Sequence, residues 1–338
     1  MHEAALPALT DAHSRVVRYL RLSITDRCNL LCLYCRNGKP VHSIPHSDIL
    51  RYEEMLRFVG IATRLGINKV RITGGEPFVR KGCTDFLVML RKRWPSLDLR
   101  LTTNGTLLEP HVPLLTRLGV RAVNLSLDSF DSNGFAAITG RNMLPSVLAS
   151  LDKLLAAGLR VKINVVAMRG FNDTQVDNFV HAAKTLPVDL RFIEFMPMGS
   201  GTMWGMENFW PAEEIREEVS RRARLTPIAE NPLNAGPARM YALAGGKGRI
   251  GFITSMTDHF CRACNRLRLT SDGHARTCLF ADKEYNMRGL LRARGITDQR
   301  ILDALRRICA LKPIGADILR RRIHARAVAE RRMTSIGG

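Results

Sequence analysis

Acidic residues are scarce in this chain. Its 31 Asp and Glu stand against 51 Lys and Arg, leaving a formal charge of +20. Such an excess fits a polyanionic ligand, nucleic acid or nucleotide, or a solvated basic surface. Much of it lies in the runs 91–93, 221–224 and 320–332, which read as solvated faces, so charge alone assigns nothing. Long apolar runs are missing too. No stretch approaches about 18 uncharged apolar residues, so no membrane-spanning helix is expected. The N-terminus has no basic start followed by an apolar run, so no secretory leader is expected either, and the location implied is cytoplasmic. In that setting eight cysteines read as reduced thiols and metal ligands, not disulfides. There is no low-complexity tract. What is present, 46% hydrophobic and 24% charged residues in a chain of 338, fits one large or two ordinary globular domains.

After a flexible lead-in over 1–17, a strand–helix alternation repeats six times. The strands fall at 20–25, 69–73, 98–102, 121–127, 160–166 and 189–195. Helical patterns lie near 48–65, 83–93, 110–118, 145–157 and 173–184, several closing on Gly66, Gly119 or Gly158. Repeated βα units imply a parallel sheet, and six of them suit an open, partial (β/α)6 relative of the eight-unit barrel. Past residue 200 the pattern changes to a helix at 211–223, strands near 225–229, 238–243, 249–255 and 266–270, helices near 286–294 and 298–310, and a basic tail. The expected division is therefore a barrel over 18–205 and a smaller C-terminal α+β segment over 206–338, closing the barrel's open side.

Strand parity adds chemistry. One face carries the apolar set, such as Leu20, Leu22, Val70, Ile72, Leu125 and Ile163. The other carries Arg21, Ser23, Lys69, Arg71, Arg100, Thr102, Asn124, Ser126, Lys162, Asn164 and Arg191. Cations on an inner face are costly unless paired, so this face reads as a wet cavity built for an anion.

Two cysteine triplets each lack a fourth member. Cys28-x3-Cys32-x2-Cys35 follows the first strand, and three thiolates on a four-iron cluster leave one iron open to a ligand. The alternatives are a structural zinc site or buried thiols. Cys261-x2-Cys264-x13-Cys278 is a second set, where zinc with His259 or His274 competes equally. Arg266 and Arg268 begin a strand beside it and suit phosphate or a carbonyl-rich base. The paired glycines of Thr73-Gly74-Gly75-Glu76-Pro77 permit close backbone approach. Cys83 and Cys309 lack metal spacing and read as buried apolar residues, and Asp128 and Glu194 receive no catalytic role.

Together these stretches closely resemble the MoaA family of GTP 3′,8-cyclases, radical S-adenosylmethionine (SAM) enzymes of molybdenum cofactor biosynthesis. The match runs through 20–26, 70–77, 101–105, 125–129, 190–194, 260–268 and the terminal Gly337-Gly338. One departure is Arg36-Asn37, where the family commonly has an apolar residue and proline. The resemblance implies that Cys28, Cys32 and Cys35 hold the SAM cluster, and that Cys261, Cys264 and Cys278 hold a second [4Fe–4S] cluster facing the purine. Tyr34, Gly75, Ser126 and Met196 would contact SAM. Arg21, Arg71, Thr102, Lys162, Arg266 and Arg268 would contact GTP, with Lys69 and Arg191 as further candidates and Arg21, Arg266 and Arg268 as the catalytic ones. It further implies the 3′,8-cyclo nucleotide as product, the downstream cyclic pyranopterin monophosphate synthase (MoaC) as partner, flavodoxin or ferredoxin as reductant, and a homodimer as the assembly to test. Neither nucleic acid nor membrane is an expected partner. The rival readings are a peptide-maturing two-cluster radical SAM enzyme and a basic nucleic-acid-binding zinc protein.

Overall fold

Alternation decides the strands. In a computed structural model describing residues 7–199, 202–229, 236–325, 327–331 and 333–337, the first six strands are β1 (Tyr19–Ser23), β2 (Lys69–Thr73), β3 (Asp98–Thr103), β4 (Ala122–Ser126), β5 (Arg160–Ala167) and β6 (Asp189–Glu194). They are followed by β7 (Leu225–Pro227), β8 (Arg239–Leu243), β9 (Arg249–Ile253), β10 (Arg266–Leu269), β11 (His274–Arg276) and β12 (Tyr285–Asn286). The chain forms two compact units, one of Met1–Asn29, Val41–Leu101 and Cys261–Gly338, the other of Leu30–Pro40 and Thr102–Phe260.

In the first unit the strand order is β12-β11-β10-β1-β2-β3, with β10, β1, β2 and β3 parallel. The apolar parity set packs the core, with Leu20, Leu22, Val70 and Ile72 fully buried. Helix Tyr52–Arg64 lays Met55, Phe58, Val59 and Ile61 into that core, its first turn closed by Glu54 accepting from Arg51 N at 2.6 Å. Two expectations need correcting. Residues 7–17 are not a loose lead-in: Leu9 and Val17 are buried, and Leu9 N donates to Leu65 O at 3.1 Å. The basic tail contains a helix, Gly315–His324, whose Ala316 and Leu319 are buried while Arg320 and Arg321 are exposed.

In the second unit the order is β4-β5-β6-β9-β8-β7, parallel from β4 through β9 and antiparallel beyond. Its apolar set, Val123, Leu125, Val161, Ile163, Val165 and Leu190, is fully buried. Helix Leu144–Ala156 buries Val147, Leu151 and Leu154. A helix at Ser132–Thr139 was not anticipated; Asp131 caps it by accepting from Gly134 N, and Gly140 ends it in a left-handed turn. No helix among the described residues is long and apolar enough to cross a membrane.

Candidate active site

Register converts the parity pattern into rows. In the first unit Arg21 stands opposite Arg71 of β2 and Arg268 of β10, while Tyr19 stands opposite Lys69 and Arg266. Side chains of paired residues share a face, so β1, β2 and β10 gather Arg21, Arg71, Arg266 and Arg268 about one phenol. Arg71 Nε donates to Tyr19 OH at 2.6 Å, and its NH1 donates to Leu101 O at 2.7 Å, which fixes the guanidinium plane. Gly337 O accepts from Arg21 Nε at 3.1 Å and from Arg268 at 2.7 Å. Gly337 also lies against β2, where an added Cβ would come within 2.5 Å of Thr73 Cγ2. Gly338 lies outside the described residues.

Burial and concentrated positive charge make Arg21 and Arg268 easier to deprotonate. Burial, then the repulsion of Arg71 and Arg266, brings Arg21 down to about 10 despite the opposing pull of Tyr19. Burial, then Arg21, Arg266 and Arg276, hold Arg268 well below its ordinary value. Such a cradle favours an anion of high charge. Lys69 reaches Asp98 at 3.8 Å and is the further cation of the row. Tyr19 was missed in the sequence because the strand starts one residue earlier than its apolar pattern indicates.

The second cysteine set adjoins these arginines. All six motif cysteines lie outside disulfides and are partly exposed, whereas Cys83 and Cys309 are buried, with thiols pushed up by that burial to about 12. Burial would raise Cys264 too, but the charges of Lys312 and Arg266 and the Arg266 N–H outweigh it and hold the thiol below its ordinary value. Burial keeps Cys261 raised, while the N–H groups of Ala316 and Gly315 donate to it. Gly315 is required here, since a Cβ would sit 2.8 Å from Cys278 Sγ and 3.4 Å from Cys261 Sγ. His274 lies 3.2 Å from Asp272. Among the described residues no three His, Cys, Asp or Glu meet as ligands of a single ion; thiolates on a four-iron cluster bind separate irons and need not meet at a point. Thiolate donors with N–H groups and cations close by fit an iron–sulfur group.

A buried pair supports this loop. Arg15 Nε binds Asp11 at 2.6 Å, and its other nitrogens donate to Cys261 O at 2.7 Å and to Lys312 O and Pro313 O at 2.9 Å. Arg15→Ala is expected to leave Asp11 buried without its partner, costing about 3–5 kcal/mol, and to free the carbonyl of Cys261. Melting temperature should fall, and iron per chain should drop toward about half, as measured after anaerobic reconstitution.

The first cysteine set follows β1. Cys28 belongs to the first unit; Cys32 caps the short helix Leu33–Arg36, with Cys35 N donating to Cys32 O at 3.0 Å. Asn37 ends that helix at φ 52°, which proline cannot adopt, so the unusual Arg36-Asn37 pair follows its own local path. In the first unit Gly75 N donates to Thr25 O at 2.7 Å, and a Cβ on Gly75 would stand 2.1 Å from Arg27 O. The Gly-Gly turn thus presses its backbone onto the chain entering the cysteine loop. Partly exposed cysteines with three and two residues between them suit a cluster with one open iron.

The second unit holds the remaining candidates. Asn124, Lys162, Asp189 and Arg249 form one cross-strand row, and Ser126, Asn164, Arg191 and Gly251 the next. Lys162 lies 3.8 Å from Asp189, and Arg191 donates to Asn164 at 2.5 Å. Thr102 is the next-to-last residue of β3, and Met196 follows β6 and is partly buried. Tyr34 OH donates to Asp128 at 2.8 Å, and Val166 N donates to the other carboxylate oxygen. Burial raises Asp128 to about 6 and, with the Asp128 charge, lifts Tyr34 well above its usual range. Asp128 therefore holds the aromatic of the cysteine motif, a part no sequence signal assigned to it. Glu194 is structural, accepting from Ala212 N, Met256 N and Thr257 N.

Comparison with known proteins follows this chemistry. The Radical SAM superfamily model matches residues 22–183, and the Molybdenum Cofactor Synthesis C model matches 188–318. Fold and cysteine pattern thus define a radical SAM protein. The GTP 3′,8-cyclase of Thermodesulfovibrio yellowstonii is 43% identical over 310 residues, covering 91% of this chain and 95% of its own. That of Petrotoga mobilis is 39% identical over 334 residues, covering 98% and 100%. The chain belongs to the GTP 3′,8-cyclase family. Among solved structures, Streptococcus suis SuiB bound to S-adenosylmethionine superposes with a TM-score of 0.61 at 14% identity, over 90% of this chain and 69% of that one, a likeness of fold alone.

Proposed function

We infer that this protein converts GTP to (8S)-3′,8-cyclo-7,8-dihydroguanosine 5′-triphosphate, the first step of molybdenum cofactor biosynthesis, using SAM and two [4Fe–4S] clusters. The observation that carries the reading is the in-register set Arg21, Arg71 and Arg268, flanked by Arg266 and the cysteines 261, 264 and 278. Cys28, Cys32 and Cys35 would hold the first cluster, with Tyr34, Gly75, Ser126 and Met196 toward SAM. When bound, that group supplies the radical that takes hydrogen from the ribose. The chain's own part is positioning: Arg21, Arg71, Thr102 and Lys162 hold the nucleotide, and Arg266 and Arg268 orient the end nearest the second cysteine set. The supporting architecture is an open (β/α)6 barrel over 18–205, completed by 206–338 with its terminal glycines. A cytoplasmic setting, the downstream MoaC enzyme, a flavodoxin or ferredoxin reductant and a homodimer complete the proposal.

The test is turnover of GTP by anaerobically reconstituted protein with SAM and a reductant, read by mass spectrometry. The cyclised nucleotide is the expected product, and 5′-deoxyadenosine without it would overturn the assignment. Arg71→Ala should weaken GTP binding about ten- to hundred-fold, since a lost charged hydrogen bond costs about 1.5–3 kcal/mol. Calorimetry checks it; unchanged affinity would remove Arg71 from the site.

A further inference from the structure

Tyr19 sits in the cationic row with its oxygen already engaged. A phenol has one proton to donate and lone pairs to accept with. Arg71 Nε donates to that oxygen at 2.6 Å, and the charge of Arg21 acts on it from its own strand. Arginine stays protonated, so Arg71 holds the oxygen as an acceptor and leaves the phenol's own proton to find an acceptor elsewhere. The charges that act on the phenol are Arg21 of its own strand, Arg71 and Lys69 of β2 and Arg266 of β10. Lys69 Nζ stands 5.5 Å from the ring centroid, and Asp98 of β3, 3.8 Å from that Nζ, is engaged by Arg100 as well. Arg71, Arg21, Arg266 and Lys69 are all cations.

We propose that Tyr19 is a substrate-positioning residue whose hydroxyl fixes Arg71 and donates its own proton to an oxygen of the triphosphate, so that nucleotide binding is coupled to proton uptake. This rests on the reading that Arg21 and Arg71 hold the triphosphate of GTP. Burial raises the phenol, but Arg71, Arg21 and Arg266 outweigh it and bring it down to about 7. Free protein near neutral pH therefore carries a fraction of tyrosinate, which offsets part of the cationic charge. A triphosphate brings negative charge to the same place, so the bound state favours the neutral phenol and raises its pKa. The sign follows: binding takes up a proton, and affinity falls as pH rises above about 7.

The experiment is calorimetry of the reconstituted holoenzyme with inorganic tripolyphosphate and with GTP, each in two buffers of different ionisation enthalpy. Wild-type protein should take up a fraction of a proton at about pH 7.5, whereas anion binding to cations alone would release protons from the ligand. Release, or no exchange, would overturn the proposal without any variant. Tyr19→Phe should bind tripolyphosphate roughly tenfold more weakly at about pH 6.5 and lose the uptake. An identical pH profile in the variant and the wild type would also overturn it. Uptake with tripolyphosphate but no binding of GTP would leave this coupling standing and sink the GTP reading instead.

Discussion

Cys32→Ala is expected to abolish reductive cleavage of SAM. A four-iron cluster held by three cysteines has no ligand to spare, since the fourth iron must stay open for the cosubstrate. Loss of one thiolate should release the first cluster, taking iron from roughly eight per chain to about four. The fold should survive, because Cys32 is partly exposed and its side chain makes no capping bond to the helix it precedes. Melting temperature should therefore hardly move. Tripolyphosphate should still bind, since Arg21, Arg71 and Arg268 are set by β1, β2 and β10. Cys83→Ala is the informative control: it removes a buried thiol from helix Cys83–Arg93, costing stability while both clusters stay. Formation of 5′-deoxyadenosine by Cys32→Ala at the wild-type rate would remove the cysteine assignment.

The parity of six strands is readable because alternation is local: each inward Arg or Lys lies one residue from a buried Leu, Ile or Val. That alternation alone is enough to place Arg21, Arg71 and Lys162 on polar faces. Contacts that join distant segments leave no such trace. Arg15 meets Cys261 across 246 residues, and Tyr34 meets Asp128 across 94. Neither pair belongs to a periodic pattern. Gly315 is a different failure: its closeness to Cys278 and Cys261 is set by the start of a helix that a run of arginines disguises as tail. Charge runs record solvation, not conformation, whereas Ala316 and Leu319, the buried stripe of that helix, are too few to give a clear period.

Cys264→Ala should separate the two cysteine sets. Its thiol is held below the ordinary value by Lys312 and Arg266 against the cost of burial, which favours the thiolate. Iron should again fall from roughly eight per chain to about four, but from the other cluster. SAM should still be cleaved, because Cys28, Cys32 and Cys35 lie in the N-terminal stretch and are untouched. GTP should bind less tightly while tripolyphosphate binds as before, since the variant leaves Arg21 and Arg71 in place. The cyclised product should disappear, because ring closure needs the ribose and the base held together as the radical forms. Deoxyadenosine without cyclised nucleotide is thus the signature of this variant, and no deoxyadenosine that of Cys32→Ala. A zinc site would behave otherwise: about one zinc and four irons in wild-type protein, with zinc alone lost on substitution. That metal count in protein prepared without oxygen would remove the second cluster and the cyclase assignment with it.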